Sequence, residues 1–191
     1  MQLILASQSP RRKELLGLFR IPFRVQVADI DETTDPQADP AEEVARLSRE
    51  KALAIPRAEE DVVVAADTIV VLGSRILGKP HSEAEAVDML TALSGREHRV
   101  MTGVTVVCGE KVLTHTEITH IRFRELSRKE IAAYVATGEP MDKAGSYGIQ
   151  GGAALFAQQM QGDYYNVMGL PVCALHGMLR QVAPALLEDT V

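Results

Sequence analysis

Apolar and polar positions along the chain separate into continuous apolar runs and segments of helical periodicity. Leu3 to Ala6 is an uninterrupted apolar run, which predicts a strand covered on both faces. A longer run from Asp61 to Val71 predicts the most strongly marked strand. Between them, apolar residues at helical spacing predict a helix from Pro40 to about Arg57.

Shorter patterns predict the remaining elements. Alternation of apolar and polar residues indicates half-buried strands, and Ser-x-x-Glu spacing indicates helix starts. We expect strands at 23–27, 75–77, 100–107 and 112–123, a final hairpin formed by 154–160 and 164–167, and helices after Ser82, Ser127 and Pro171.

The loop after the first strand is a candidate for chemistry. Ser9 is a natural helix N-cap and Pro10 suits the first helical position, so a helix should begin here. Arg11 and Arg12 then lie in its first turn, where cations are unfavourable unless an anion joins them. The stretch fits either a phosphate cradle or an ordinary strand, turn and helix with solvated arginines.

Two further segments carry charges in unusual places. The loop from Asp29 to Asp35 holds four carboxylates, which suit either solvent or a hard cation such as Mg²⁺. Lys51 lies near the centre of the apolar stripe marked by Val44 and Ile55. Its ammonium either reaches out to solvent or points into a site where an anion neutralises it.

Asp67 interrupts the apolar run of the long strand. A carboxylate there is costly unless it is paired, bound to metal or at the edge of a site. Buried aspartates are usually structural acceptors, but so apolar a run favours a functional role here. Lys79 lies in a loop between Gly78 and Pro80, and residues 142–152 form a glycine-rich loop, which alone is a weak signal.

Composition limits the classes of function. The chain has 191 residues, enough for a hydrophobic core, and a net charge of −6. This charge argues against a general binder of nucleic acid or membrane surfaces and remains compatible with a local pocket for a small anion. Cys108 and Cys173 stand in apolar surroundings and fit buried thiols in a reducing cytosol. With neither a secretory signal nor a membrane-spanning run, we expect a cytoplasmic protein.

The unusual residues together suggest a phosphate site. Cations offset phosphate charge, and carboxylates hold a metal or activate water. Neither a Ser–His–Asp nor a Cys–His arrangement is plausible, and His115 and His120 fall on opposite faces of one strand. The pattern favours a phosphate ester or anhydride site with a carboxylate base. Its members are Ser7, Ser9, Arg11, Arg12, Glu32, Lys51, Asp67, Lys79 and Gln150.

Six short motifs stand out along the chain: LASQSPRRKELL, Asp31–Thr33, Arg49–Ala52, Ala66–Thr68, Gly78–Pro80 and Asp142–Gly145. Together, in this order, they resemble the Maf family of nucleoside triphosphate pyrophosphatases, and the match runs from residue 3 to about residue 180. The resemblance implies a single domain over residues 1–191, an α/β fold with a long twisted mixed sheet flanked by helices, and a cleft between two lobes. It also implies hydrolysis of a nucleoside triphosphate to the monophosphate and pyrophosphate.

The resemblance implies roles for single residues as well. Asp67 matches the proton acceptor that deprotonates the water attacking the α-phosphorus. Glu32, together with Asp67, matches the ligands of a divalent metal cation, Mg or Mn. The implied phosphate-binding residues are Ser7, Ser9, Arg12, Lys51 and Lys79.

Three positions that divide the family by specificity are occupied here by Arg11, Thr68 and Gln150. They resemble the subgroup that acts on dTTP and UTP. An amide such as Gln150 can pair with both acceptor and donor edges of a pyrimidine. Gln8 and Gly78 depart from some relatives, and neither touches an implied catalytic role.

Two alternatives to this enzyme remain at the level of sequence. One is a nucleotide-sensing regulator of cell division or septum formation, which needs binding without turnover. The other is a phosphohydrolase acting on a different anhydride. The resemblance further implies a homodimer that binds a nucleoside triphosphate and neither nucleic acid nor membrane.

Overall fold

The computed structural model of the protein describes residues 1–27, 29–33 and 38–188. Within them the helices are α1 (Pro10–Gly17), α2 (Pro40–Leu53), α3 (Glu83–Leu93), α4 (Arg128–Val135), α5 (Tyr164–Met168) and α6 (Val172–Val182). The strands are β1 (Leu3–Leu5), β2 (Phe23–Val25), β3 (Val62–Leu72), β4 (Arg75–Leu77), β5 (Glu97–Cys108), β6 (Lys111–Phe123) and β7 (Ala157–Gln161).

These seven strands form one sheet in the order β2-β1-β3-β5-β6-β7, with β4 paired to β3. The sheet is mixed, since β1 runs parallel to β2 and β3 whereas β4 and β7 pair antiparallel with β3 and β6. The predicted α/β class, a mixed sheet with helices, is confirmed.

The described chain divides into two compact units. The first comprises the described parts of residues 1–67, 102–117 and 169–191. Its parallel pairing aligns Leu5 with Val64, so the loop that follows β1 starts beside the middle of β3. One of its buried apolar clusters comprises Ile4, Ala6, Ala52, Ile55, Val63, Ala65 and Val107.

The second unit comprises residues 68–101 and 118–168. Its core contains a group of aromatic rings, with Phe123 and Tyr147 in an edge contact at 4.9 Å between centroids. The predicted apolar face of α3 lies in this core, as Ala86, Met89, Leu90 and Leu93 are all buried. The prediction of one domain over residues 1–191 stays a prediction.

Some expected elements are wrong. Residues 164–168 form α5 and not the second strand of a hairpin, because Asp163 starts a turn by accepting a hydrogen bond from the Tyr165 N–H. The helix that begins at Pro40 ends at Leu53, before the predicted end at about Arg57. Val25 is 43% exposed because β2 lies at the edge of the sheet, and residue 27 is also exposed.

The cysteines are also less buried than expected. Cys108 is half-buried and Cys173 is exposed, and both are free thiols. Cys173 follows Pro171 on α6, and its side chain belongs to the exposed side of that helix. Among the described residues, no helix has the length and apolar character needed to cross a bilayer.

Candidate functional site

The ammonium of Lys51 joins two carboxylates in the first unit. Its Nζ lies 2.6 Å from Oδ1 of Asp67 and 3.1 Å from Oε1 of Glu32. Lys51 is only 8% exposed, so its side chain does not extend into solvent. Of the two alternatives for this lysine, the structure supports the one in which negative charge neutralises it inside a site.

Helix α2 presents Lys51 at this point. Asp39 caps the helix by accepting hydrogen bonds from the N–H groups of Ala41 and Glu42. The helix lies very close to β5 at Gly103, where an added Cβ would be 2.3 Å from the carbonyl oxygen of Val44. The missing side chain at Gly103 therefore sets how near α2, and Lys51 with it, approaches the sheet.

Strand β3 presents Asp67. The preceding residues of the strand, Val62 to Ala66, are fully buried, and the Asp67 side chain is 14% exposed. A largely buried carboxylate must be paired, and Lys51 supplies the pair. Asp67 and the next residue are thus the two half-buried positions in an otherwise buried strand.

The loop from β1 to α1 has the predicted cap and places Arg12. Ser9 is the N-cap, and its Oγ accepts a hydrogen bond from the N–H of Arg12 at 3.4 Å. The Arg12 side chain donates from Nε to the carbonyl oxygen of Gly169 at 2.8 Å and from Nη1 to Oγ of Ser7 at 3.3 Å. Ser7 Oγ also accepts from the N–H of Ser9 at 3.2 Å, which links both serines to the guanidinium.

The charges of this group act on one another. Burial lowers the pKa of Arg12, and the carboxylate charge of Asp67 opposes that change. The charge of the neighbouring Arg11 also lowers the pKa of Arg12, while the charge of Glu32 raises it. A guanidinium nevertheless keeps its proton at neutral pH, so two cations and two carboxylates share this part of the first unit.

The donor set fits a divalent metal ion completed by a ligand. Among the described residues, no group of three or more His, Cys, Asp or Glu side chains could hold a metal. Mg²⁺ typically takes one or two carboxylates and fills the remaining positions with water and substrate phosphate. Glu32 and Asp67 are two such carboxylates on a common ammonium, and the Glu32 side chain is 59% exposed.

The other predicted site residues belong to the second unit. Thr68 follows Asp67 in β3, and Lys79 and Gln150 are exposed in loops. The N–H of Gly145 donates to the carbonyl oxygen of Gly78 at 3.0 Å, which joins the glycine-rich loop to the loop of Lys79. The structure therefore groups Ser7, Ser9, Arg12, Glu32, Lys51 and Asp67 in one unit, with Arg11 half-buried in α1, and Thr68, Lys79 and Gln150 in the other.

Sequence reasoning missed Arg46, which holds the acidic loop. Its guanidinium pairs with Glu43 at 2.6 Å and Glu50 at 2.9 Å. Nη2 also donates to the carbonyl oxygen of Thr33 at 3.1 Å, next to Glu32. The spacing of these charges on one helix, three and four residues apart, was a signal that could have found the ion pairs. The predicted carboxylate at Asp35 lies outside the described residues.

Comparison with known proteins gives a consistent picture. The family described as Maf-like protein matches residues 2–182. The chain is 52% identical over 179 residues to a Bacillus cytotoxicus protein named dTTP/UTP pyrophosphatase, with 93% of this chain and 94% of the relative covered. A Bacillus cereus protein of the same name is 50% identical over 181 residues, covering 94% and 95%.

The fold is also found among solved structures. One of them is a HAM1 protein from Coxiella burnetii, with a TM-score of 0.51 and 17% sequence identity, and the match covers 95% of this chain and 99% of that one. At this identity the likeness concerns the fold alone.

Proposed function

Because the chain belongs to the family of Maf-like proteins, we propose that it is a nucleoside triphosphate pyrophosphatase that hydrolyses dTTP and UTP. The products are the nucleoside monophosphate and pyrophosphate. The reaction removes dTTP, UTP and modified pyrimidine nucleotides from the pool. Relatives at 50–52% identity carry the name of this activity. One observation supports it most directly: a carboxylate on β3, Asp67, is held 2.6 Å from a buried ammonium.

Asp67 is the proposed base. It accepts a proton from the attacking water as the new bond from oxygen to the α-phosphorus forms. The bond from the α-phosphorus to its bridging oxygen breaks, and pyrophosphate departs. Because Asp67 lies inside strand β3, its backbone is fixed and little reorganisation is needed when the water is positioned.

Arg12 and Lys51 are the proposed phosphate-binding cations of the first unit. Arg12 is oriented by Gly169 and Ser7, which leaves the guanidinium in a defined direction beside the start of α1. A phosphate oxygen that binds Lys51 competes with Asp67 for the ammonium, so phosphate binding frees the carboxylate to take a proton. Ser7 and Ser9 line the same loop.

Glu32 and Asp67 are the proposed ligands of a divalent cation, Mg or Mn. Such a cation offsets the charge of the triphosphate when it is bound. Arg46, through the carbonyl of Thr33, holds the segment from which Glu32 reaches Lys51.

The remaining predicted residues are assigned to the nucleotide as well. Lys79 binds phosphate, and Arg11, Thr68 and Gln150 contribute to the choice of base. Their amide, hydroxyl and guanidinium groups match both donor and acceptor edges of a pyrimidine. We further propose that the protein is a cytoplasmic homodimer. The net charge of −6 supports the proposal that it binds neither nucleic acid nor membrane.

The regulator of cell division is less well supported. A sensor needs no base, yet Asp67 is paired with Lys51 as a catalytic carboxylate would be. The relatives also carry names of an enzyme and not of a regulator.

Product analysis tests the proposal. The purified protein is incubated with Mg²⁺ and each common nucleoside triphosphate, and the products are separated by chromatography. UMP and dTMP with pyrophosphate are expected from UTP and dTTP. UDP with inorganic phosphate would overturn the proposed site of attack, and tight binding without turnover would favour the sensor.

A further inference from the structure

The segment that carries Gln150 is tied at both sides to a single pair of side chains. The N–H of Gly148 donates to the Tyr134 hydroxyl at 3.2 Å, and the N–H of Gly152 donates to Oε2 of Glu139 at 3.1 Å. The Tyr134 hydroxyl in turn donates to Oε1 of Glu139 at 2.9 Å. Gln150 lies midway between the two tied residues and is exposed.

The side chain that makes these hydrogen bonds, Tyr134, is held in place by its surroundings. It is 6% exposed on α4, and its ring makes an edge contact with Phe156 at 5.1 Å between centroids. Burial raises the pKa of Tyr134, so the hydroxyl keeps the proton that it donates to Glu139. The same oxygen accepts from Gly148, and both of its hydrogen-bonding functions are therefore used.

The glycines of the segment allow the backbone to lie against Glu139 directly. An added Cβ at Gly151 would be 1.9 Å from Oε1 of Glu139, and one at Gly148 would be 2.7 Å from Cε of Lys143. Lys143 itself donates to the backbone carbonyl of Glu139 at 2.7 Å. The segment has no space for side chains beside Gln150 on the Glu139 side.

We propose that Tyr134 and Glu139 are positioning residues that fix Gln150 for recognition of the base. This inference rests on the proposed function, in which Gln150 binds a pyrimidine. An amide recognises one edge of a ring through two hydrogen bonds. The backbone that carries the amide must therefore be held at a constant distance from the ring. Tyr134 and Glu139 supply that constraint from α4 and the turn after it, without contact with the nucleotide.

The variant Tyr134→Phe tests the pair while keeping the buried ring. It removes the hydroxyl that accepts from Gly148 and donates to Glu139. The KM for UTP should rise by about tenfold, the effect of one or two lost hydrogen bonds, with kcat changed by less than about twofold. The inhibition constant of inorganic tripolyphosphate, which has no base, should stay the same.

Two controls separate positioning from general damage. Tyr165→Phe makes the same chemical change on α5, where the residue is 39% exposed, and should leave the KM unaltered. Glu139→Ala should raise the KM as Tyr134→Phe does, whereas Glu139→Gln should restore part of the affinity. The single glutamine carbonyl can accept from Gly152 or from the Tyr134 hydroxyl, so one of the two hydrogen bonds to residue 139 is kept.

A double variant shows whether the pair acts through Gln150. In a Gln150→Ala background, Tyr134→Phe should produce no further rise in the KM for UTP. The inference would be overturned if the effects of the two changes on the KM were fully additive. It would also be overturned if tripolyphosphate inhibition weakened as much as the KM for UTP rose. Wild-type protein that does not convert UTP to UMP and pyrophosphate would overturn the proposed function, and the inference with it. Active wild type with an unchanged KM in Tyr134→Phe would overturn the positioning alone.

Discussion

Lys51 and Asp67, 16 residues apart on a helix and a strand, form an ion pair of 2.6 Å between Nζ and Oδ1. Both side chains are largely buried, at 10% and 14% exposure. The same ammonium contacts Glu32, so a single cation holds both acidic residues of the candidate site. In the proposed function, one lysine would therefore couple the substrate phosphate, the metal and the base.

Replacing Asp67 with Asn should abolish turnover. The amide keeps the size of the side chain but cannot accept the proton of the attacking water, and loss of a general base costs about 10²- to 10⁴-fold. The measurement is pyrophosphate release from UTP at saturating substrate, with nucleotide binding followed by calorimetry. Asp88→Asn on the exposed side of α3 is the matched control and should retain full activity. Full turnover by Asp67→Asn would show that another group is the base.

Replacing Glu32 with Gln should weaken the response to metal. One carboxylate of the two proposed ligands is lost, and a neutral amide is a poorer partner for Mg²⁺. The Mg²⁺ concentration that gives half-maximal UTP hydrolysis should rise about tenfold or more, as is typical when a ligand or its support is removed. Binding of Mn²⁺, measured by electron paramagnetic resonance, gives a readout that does not depend on turnover.

Glu42→Gln serves as the control for this change, because Glu42 is an exposed acid at the start of the same helix. An unchanged metal response in Glu32→Gln, with normal folding, would remove Glu32 from the metal site.

Much of the first unit follows from local sequence, as Ser9 and Lys51 illustrate. The cap at Ser9 depends only on neighbouring residues, among them a proline. Its prediction is confirmed. The position of Lys51 on the buried side of α2 follows from helical periodicity. Its partner, however, is found only in the folded chain, because periodicity does not say which strand faces the helix.

The errors arise where contacts between residues far apart in the sequence determine the local structure. Arg12 donates to a carbonyl 157 residues away, at Gly169, which no local pattern indicates. Residues 164–168 have the apolar character of a strand, but a turn at Asp163 and burial of Asn166 against Thr119 and Val100 favour a short helix. The exposure of Val25 follows from the edge position of β2, and alternation alone does not distinguish an edge strand from an inner one.

Replacing Gly103 with Ala should destabilise the first unit. The new methyl group would lie 2.3 Å from the backbone oxygen of Val44, and α2 would have to move away from β5. Overpacking of this kind costs about 1–3 kcal/mol in the free energy of unfolding, measured by urea denaturation. Activity of the remaining folded protein should fall as well, because α2 carries Lys51.

Gly177→Ala is the control, because the same substitution is expected to stabilise the protein there. Gly177 lies inside α6 with no atom within 4 Å of its added Cβ, so alanine should stabilise the helix by about 0.5–1 kcal/mol. Equal stability of wild type and Gly103→Ala would contradict the close approach of α2 to β5.

His98 makes the stability of the protein depend on pH. Burial lowers the pKa of His98 to about 4, from 6.5 in an exposed histidine. The unfolded chain therefore binds a proton that the folded protein does not bind between these values, so stability falls as the pH drops from 6.5 to 4. The expected loss is about 3 kcal/mol.

His98→Gln should flatten this part of the pH profile of the unfolding free energy relative to wild type. The same slope in wild type and His98→Gln would exclude His98 as the source.

The most direct test of the central claim is hydrolysis of UTP in water labelled with ¹⁸O, with the products analysed by mass spectrometry. Attack of water on the α-phosphorus, with Asp67 as the base, predicts one labelled oxygen in UMP and none in pyrophosphate. Label in pyrophosphate would show attack on the β-phosphorus, and release of UDP with labelled phosphate would show attack on the γ-phosphorus. Either of the latter results would contradict the account.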